Sequence, residues 1–205
     1  MIVIIDYQCG NPASIHNMLK KIGCPAQISS DPTVIRASSK LILPGVGSFD
    51  HGMNKLEEFG LLPVLQERVA KDKIPILGIC LGVQLFCARS DEGKRSGLGW
   101  IDANVVKFDS TRMRDTDKIP HMGWIDTYVS RATKLISSED ETPRYYFVHS
   151  YHLDCRNQSQ IMATASHGYE FVAAVEKDNI LGVQFHPEKS HRYGKELMKK
   201  FIEQY

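Results

Sequence analysis

Residues 76–84 read Ile76-Leu77-Gly78-Ile79-Cys80-Leu81-Gly82-Val83-Gln84. An apolar run suited to a buried strand enters a Gly-x-Cys-x-Gly pentapeptide and leaves as a helix. This is the cysteine form of the nucleophile elbow. The turn is sharp enough that side chains at positions 78 and 82 are expected to collide with neighbouring backbone. The residue at its apex is held in sparsely populated φ/ψ, with its sulfur above the sheet. At a helix N-terminus, free backbone N–H groups and the helix dipole favour negative charge on sulfur. The N–H of Leu81 points where an oxyanion would form. The alternative for any free cysteine is a buried, inert core position. That reading suits Cys9, Cys24, Cys87 and Cys155 better than Cys80, which alone has the flanking glycines.

Outward from the elbow, the first half alternates strand and helix signals. Strands are expected over 2–6, 25–29, 40–43 and 74–79. The third is expected to end at Pro44-Gly45. Helical spacing covers 11–22, stopped by Gly23, and 50–71, interrupted near Gly60 and Pro63; 81–89 follows the elbow. Asp31-Pro32 is an N-cap with proline at the first helical position. Such alternation predicts an α/β fold with a mostly parallel central sheet flanked by helices. The second half is richer in strands, at 104–108, 125–129, 144–153, 160–166, 171–176 and 180–185, with a tight turn at 177–179. A polar, mobile loop is expected over 109–118. An amphipathic helix over 191–205, with Ser190 as N-cap, closes the chain. No repeat or linker divides the sequence, so one domain is expected over residues 1–205.

The 205 residues suffice for a sizeable core. A formal net charge of +1 offers no reason to expect a nucleic acid or an anionic membrane as partner. No apolar run reaches the ~20 residues that span a bilayer. The opening Met1-Ile2-Val3-Ile4-Ile5-Asp6 lacks a basic leader and reads as a strand rather than a signal peptide. The five cysteines form no CxxC pair, which fits neither a disulfide framework nor a thiolate zinc site. A reducing cytoplasm and no metal are therefore expected.

The second chemical segment is Gly182-Val183-Gln184-Phe185-His186-Pro187-Glu188-Lys189-Ser190. His186 ends an apolar strand, on the edge where open α/β sheets place their sites, and Pro187 turns the chain. Glu188 can accept the imidazole N–H, fix the tautomer and stabilise the imidazolium. His186 would then exchange protons with Cys80 and with a leaving group. The histidines at 16, 51, 152, 167 and 191 read as surface or satisfied core residues.

With both segments in hand, the chain resembles the class I glutamine amidotransferases, which combine the elbow with a C-terminal His-Pro-Glu. Pro44-Gly45-Val46-Gly47-Ser48-Phe49 supplies a third motif. Within that class it is most similar to the glutaminase subunits of imidazole glycerol phosphate synthases. The residues that carry this are Asp6-Tyr7, Gly10-Asn11, Gly97-Leu98-Gly99, His121-Met122-Gly123-Trp124, residues 146–151 and residues 186–190. The resemblance implies a flavodoxin-like α/β sheet with extra antiparallel strands in the second half, as a glutamine amidotransferase type 1 domain. It implies a Cys80–His186–Glu188 triad that hydrolyses glutamine to glutamate and ammonia through a thioester, without a cofactor.

The same resemblance implies that Gly47, Gln84, Glu92, Ser150 and Tyr151 hold glutamine, with Glu92 facing its α-ammonium group. The backbone of Val46 and Gly47 would join Leu81 in the oxyanion hole. His121, Met122, Gly123, Trp124, Tyr146 and Lys189 would face a partner. That partner would be a (β/α)₈-barrel cyclase in a heterodimer, taking ammonia for histidine biosynthesis. Two departures from the family pattern stand out: Ile125 where asparagine is usual, and residues 8–13. A sister group of these glutaminases serves enzymes that modify surface-polysaccharide sugars, so the acceptor stays open between the two pathways. The remaining alternatives are a stand-alone Cys-His hydrolase and a catalytically silent regulatory subunit.

Overall fold

The computed structural model describes residues 1–137 and 141–205. Strands β1 (Ile2–Ile5), β2 (Ala26–Ser29), β3 (Lys40–Gly45), β4 (Ile76–Cys80) and β12 (Ile180–Val183) lie in the order β2-β1-β3-β4-β12. Every neighbouring pair in this row is parallel. The order of the row is the flavodoxin-like one. Apart from β2, these strands are buried almost throughout, as a parallel sheet covered on both faces requires. Alternate residues divide between two cores. Val3, Ile5, Leu41 and Leu43 pack with the layer formed by α2 (Pro32–Arg36), α3 (Phe49–Glu58) and α4 (Leu61–Leu65). Ile4, Ile42, Leu77 and Leu181 pack with α1 (Pro12–Lys21) and α6 (His191–Gln204) on the other face.

Beyond β12 the sheet turns antiparallel, through β11 (Tyr169–Lys177), β10 (Ile161–His167), β7 (His121–Val129) and β8 (Arg144–His149). A branch formed by β9 (Tyr151–Cys155), β6 (Ala103–Lys107) and β5 (Arg89–Ser90) joins at β11. Among the described residues no helix is long and apolar enough to cross a membrane.

Several boundaries differ from the sequence expectation. Strand β3 continues through Pro44 and Gly45, which pair with Ile79 and Cys80 of β4. Proline is tolerated because β1 has already ended on its other side, where the buried Tyr7 hydroxyl donates to the Pro44 carbonyl at 2.7 Å. Helix α5 (Leu81–Leu85) is only five residues long, where nine were expected. The carbonyls of Leu85, Phe86 and Cys87 accept from the N–H groups of Leu98, Trp100 and Gly99, so tertiary bonds replace the next helical turn. The expected strand 144–153 breaks at Ser150 into β8 and β9.

Ser190 precedes α6 as expected, but its side chain does not cap the helix. Its hydroxyl donates to the His186 carbonyl at 2.6 Å and accepts from the Tyr146 N–H at 3.0 Å. Residues 109–118 contain a short 3₁₀ turn, Ser110–Arg112, capped by Asp109. An Arg114–Asp117 ion pair also folds this stretch on itself.

Candidate active site

Because β3, β4 and β12 are parallel, their carboxyl ends share one edge of the sheet, and the residues that follow them meet there. Cys80 ends β4 with φ 53° and ψ −112°, a conformation that L residues rarely adopt. The elbow holds it there by close contact. A Cβ on Gly82 would lie 1.9 Å from the Leu43 carbonyl oxygen, so only glycine lets β4 turn against β3. At Gly78 the obstacle is mainly the Phe86 ring, at 2.6 Å. The expected backbone collision holds at both positions, since a Cβ on Gly78 would also lie 2.8 Å from the Val83 backbone nitrogen.

A cavity of about 290 Å³ opens over this edge, lined by Val46, Gly47, Cys80, Leu81, Gln84, Glu92, Val148, His149, Ser150, Tyr151 and His186. Cys80 is 7% exposed and His186 2% exposed. Both are therefore sheltered yet border the same cavity. The His186 Nδ1 lies 2.8 Å from the Glu188 carboxylate, whose side chain is nearly buried. Burial disfavours the imidazolium. The contact with Cys80 and then the Glu188 carboxylate outweigh it, and push His186 up to about 10. Both contacts favour the protonated form of the ring. The backbone holds this histidine firmly, since its N–H donates to the Tyr146 carbonyl at 2.9 Å and its own carbonyl accepts from Ser190.

Gly47 has φ +110°, and a Cβ there would meet nothing within 4 Å, so glycine is required for backbone conformation and not for room. Glu92 reaches the cavity rim, and one of its carboxylate oxygens accepts from the Phe49 N–H at the start of α3 at 2.8 Å. The rest of its loop is tied down by Asp50, which accepts from the N–H groups of Lys94 and Arg95. Gln84 is buried, and its Nε2 donates to the Tyr151 carbonyl at 3.2 Å.

Of the residues expected at a partner surface, Met122 is 63% exposed, and Trp124 also stands out from β7. Lys189 sits over the Tyr146 ring at 5.6 Å, and Trp124 approaches the same ring. His121 differs from that expectation. Alternation along β7 turns its ring inward, buried beside His167 at 4.1 Å and near His149 and Phe147. Only its backbone can belong to a docking face. Ile125, the departure from the family pattern, also points inward and packs against the second core.

Two residues beside the site were given no role from sequence. Tyr7 holds Pro44, two residues before Val46. Gln184 is buried beside Cys80. The available signal for Gln184 was a lone amide in an otherwise apolar run, Val183 to Phe185.

The family model described as Glutamine amidotransferase class-I matches residues 3–205. The chain is 51% identical over 204 residues to imidazole glycerol phosphate synthase subunit HisH 2 of Methanococcus maripaludis, covering 100% of both chains. It is 46% identical to the subunit of the same name in Pseudomonas aeruginosa, covering 99% of each. Among solved structures, one described as a glutamine amidotransferase superposes with a TM-score of 0.76 at 18% identity, covering 99% of this chain and 98% of the other. A chain of PurLQS from Thermotoga maritima gives 0.70 at 17% identity, covering 98% and 96%. These two likenesses concern the fold.

Proposed function

The chain belongs to the class I glutamine amidotransferases, and from that premise we propose that it is the glutaminase subunit of an imidazole glycerol phosphate synthase, acting in histidine biosynthesis. The relatives at 51% and 46% identity carry that name over their full length, which favours this reading over the surface-sugar alternative. The observation that carries the chemistry is that His186, paired with the nearly buried Glu188 side chain, lines the same cavity as the strained Cys80.

Glutamine enters with its α-ammonium group toward Glu92, which keeps one carboxylate oxygen beyond the one taken by Phe49. Cys80 sulfur attacks the side-chain amide carbon. The carbonyl π electrons move to oxygen, where the Leu81 N–H and a donor from the Val46–Gly47 segment receive the negative charge, at ~3 kcal/mol per donor. The C–N bond then breaks, and nitrogen leaves as ammonia with the proton held by His186. Water attacks the γ-glutamyl thioester, gives a proton to His186, and the C–S bond breaks to release glutamate and restore Cys80. Glu188 steadies the imidazolium through both halves. The reaction consumes one water and uses this chain's own residues.

Free ammonia is largely protonated at neutral pH and is then no nucleophile, so its acceptor must be sheltered close by. The partner is a (β/α)₈-barrel cyclase, docked over Met122, Trp124, Tyr146 and Lys189 as a heterodimer in the cytoplasm. Those residues adjoin the His186 backbone through the bond to the Tyr146 carbonyl, which supports a docking face next to the site. The test is Cys80→Ala. It should abolish glutamine hydrolysis while the partner still works with added ammonium salt. Substantial glutaminase activity in the variant rules out the covalent route.

A further inference from the structure

The Cys80 sulfur has a neighbour that the triad does not include. Gln184 is 1% exposed, and its Nε2 lies 3.7 Å from Cys80 Sγ. Its Oε1 accepts from Gln84 Nε2 at 3.0 Å, and the same Gln84 nitrogen donates to the Tyr151 carbonyl at 3.2 Å. A backbone carbonyl can only accept, so the atom of Gln84 facing Tyr151 must be nitrogen. That nitrogen also faces Gln184, so Gln184 must answer with oxygen. Its amide N–H is thereby left for the sulfur. The main chain fixes the polarity of the whole row. Gln184 has little freedom to leave it, because its backbone N–H donates to the Ala173 carbonyl at 2.8 Å and its side chain is enclosed.

We propose that Gln184 is a positioning residue that couples the nucleophile to the substrate-holding amide of Gln84. Its N–H donates to negative charge on Cys80 sulfur. Its carbonyl occupies the second N–H of Gln84, the first being held by Tyr151, so Gln84 Oε1 is the atom left to accept a hydrogen bond from glutamine in the cavity. A buried amide without partners would be costly, and here the reacting sulfur is one of the partners. The inference rests on Cys80 being the nucleophile.

Two substitutions separate the roles. Gln184→Met fills the space without donor or acceptor. Gln184→Glu keeps an oxygen for Gln84 but sets a carboxylate oxygen where the N–H faced sulfur. The full-length variants are alkylated with iodoacetamide across a pH series. Labelling is read on the Cys80 peptide by mass spectrometry, so that the other cysteines do not contribute. Steady-state kcat and KM for glutamine are measured alongside.

At pH 7 alkylation of Cys80 should slow about tenfold in Gln184→Met, with the profile displaced to higher pH, since hydrogen bonds to charged groups exceed neutral ones. Gln184→Glu should slow it further. KM should rise in the methionine variant and stay near wild type in the glutamate variant, while kcat falls in both. A wild-type alkylation profile in Gln184→Met overturns the proposal, because a merely structural side chain would change the melting temperature and not the profile. If circular dichroism shows that the methionine variant does not fold, the glutamate variant decides on the same criterion. An unmoved profile where Cys80→Ala is inactive sinks the role of Gln184 alone. Activity retained by Cys80→Ala sinks the glutaminase reading and this inference together.

Discussion

The elbow on the parallel edge and the antiparallel face beside it solve different problems. Around Cys80, backbones approach so closely that a single methyl group has no place, and the nucleophile is arranged before any ligand arrives. Along β7 the outward side chains include the exposed apolar Met122, Trp124 and Tyr128, while the inward ones of β7 and β8 include His121 and His149, packed edge to face in the core. The first region stores strain to hold one atom in place. The second spends surface on something outside the chain. Backbone precision and surface availability thus lie at different places along the sheet, linked by the hydrogen bond from His186 N–H, just beyond β12, to the Tyr146 carbonyl of β8.

The sharpest way to break this contrast is Gly82→Ala. One added methyl group meets the Leu43 carbonyl oxygen at 1.9 Å, so the start of α5 and β3 must separate. The expected loss is about 3 kcal/mol of stability or more, together with glutaminase activity. Chemical denaturation measures the first, and a midpoint equal to wild type would show that the elbow is looser than its contacts imply.

Glu188→Gln tests the charge component of the same region. The carboxylate acts mainly on an imidazolium, so kcat should fall about a hundredfold or more with little change in KM. Unchanged turnover with weaker binding would remove Glu188 from the triad.

The other side of the comparison is probed by Trp124→Ala together with Met122→Ala. The isolated chain is expected to be a poor glutaminase that a docked synthase subunit and that subunit's substrate activate. Losing two exposed apolar anchors should weaken that activation about tenfold while basal hydrolysis stays the same. Glutamate production with and without partner reads this out, and equal activation in the double variant would move the docking face elsewhere.

The smallest effect concerns the buried histidines. Burial pushes His149 down to about 3, against its bond to the Tyr151 carbonyl, and the neighbouring histidines lower it further. Burial likewise pushes His121 down to about 4, with His167 adding to it. A folded-state value below the unfolded one, near 6.5, contributes stability above pH 6.5 that is lost as pH falls toward 3. His149→Gln should therefore lose on the order of 1 kcal/mol less than wild type between pH 7 and pH 5. Melting curves at the two pH values test this, and parallel losses would mean that other groups dominate the acid limb.

Much of this molecule was legible in the chain itself. Apolar runs, Gly78 and Gly82 around Cys80, and Asp31-Pro32 are local signals, because their physics is that of neighbouring residues along the backbone. They marked the α/β alternation, the elbow and the helix starts. The cavity was another matter. His186 is separated from Cys80 by the whole antiparallel half, and nothing in its spacing brings the two together. Parallel pairing of β4 with β12 does that, by setting both carboxyl ends on one edge. Tertiary capture of carbonyls by residues 98–101 ended α5 early. Alternation across β7 decided that His121 turns inward and Trp124 outward, a distinction the motif His121-Met122-Gly123-Trp124 does not carry. Gln184 shows the limit most clearly. As a letter it is a polar residue in an apolar strand, and only the carbonyl of Tyr151, thirty-odd residues away along the chain, determines which end of its amide faces the sulfur. Local sequence sets backbone preference, while the direction of a buried hydrogen bond belongs to whichever partner the fold supplies.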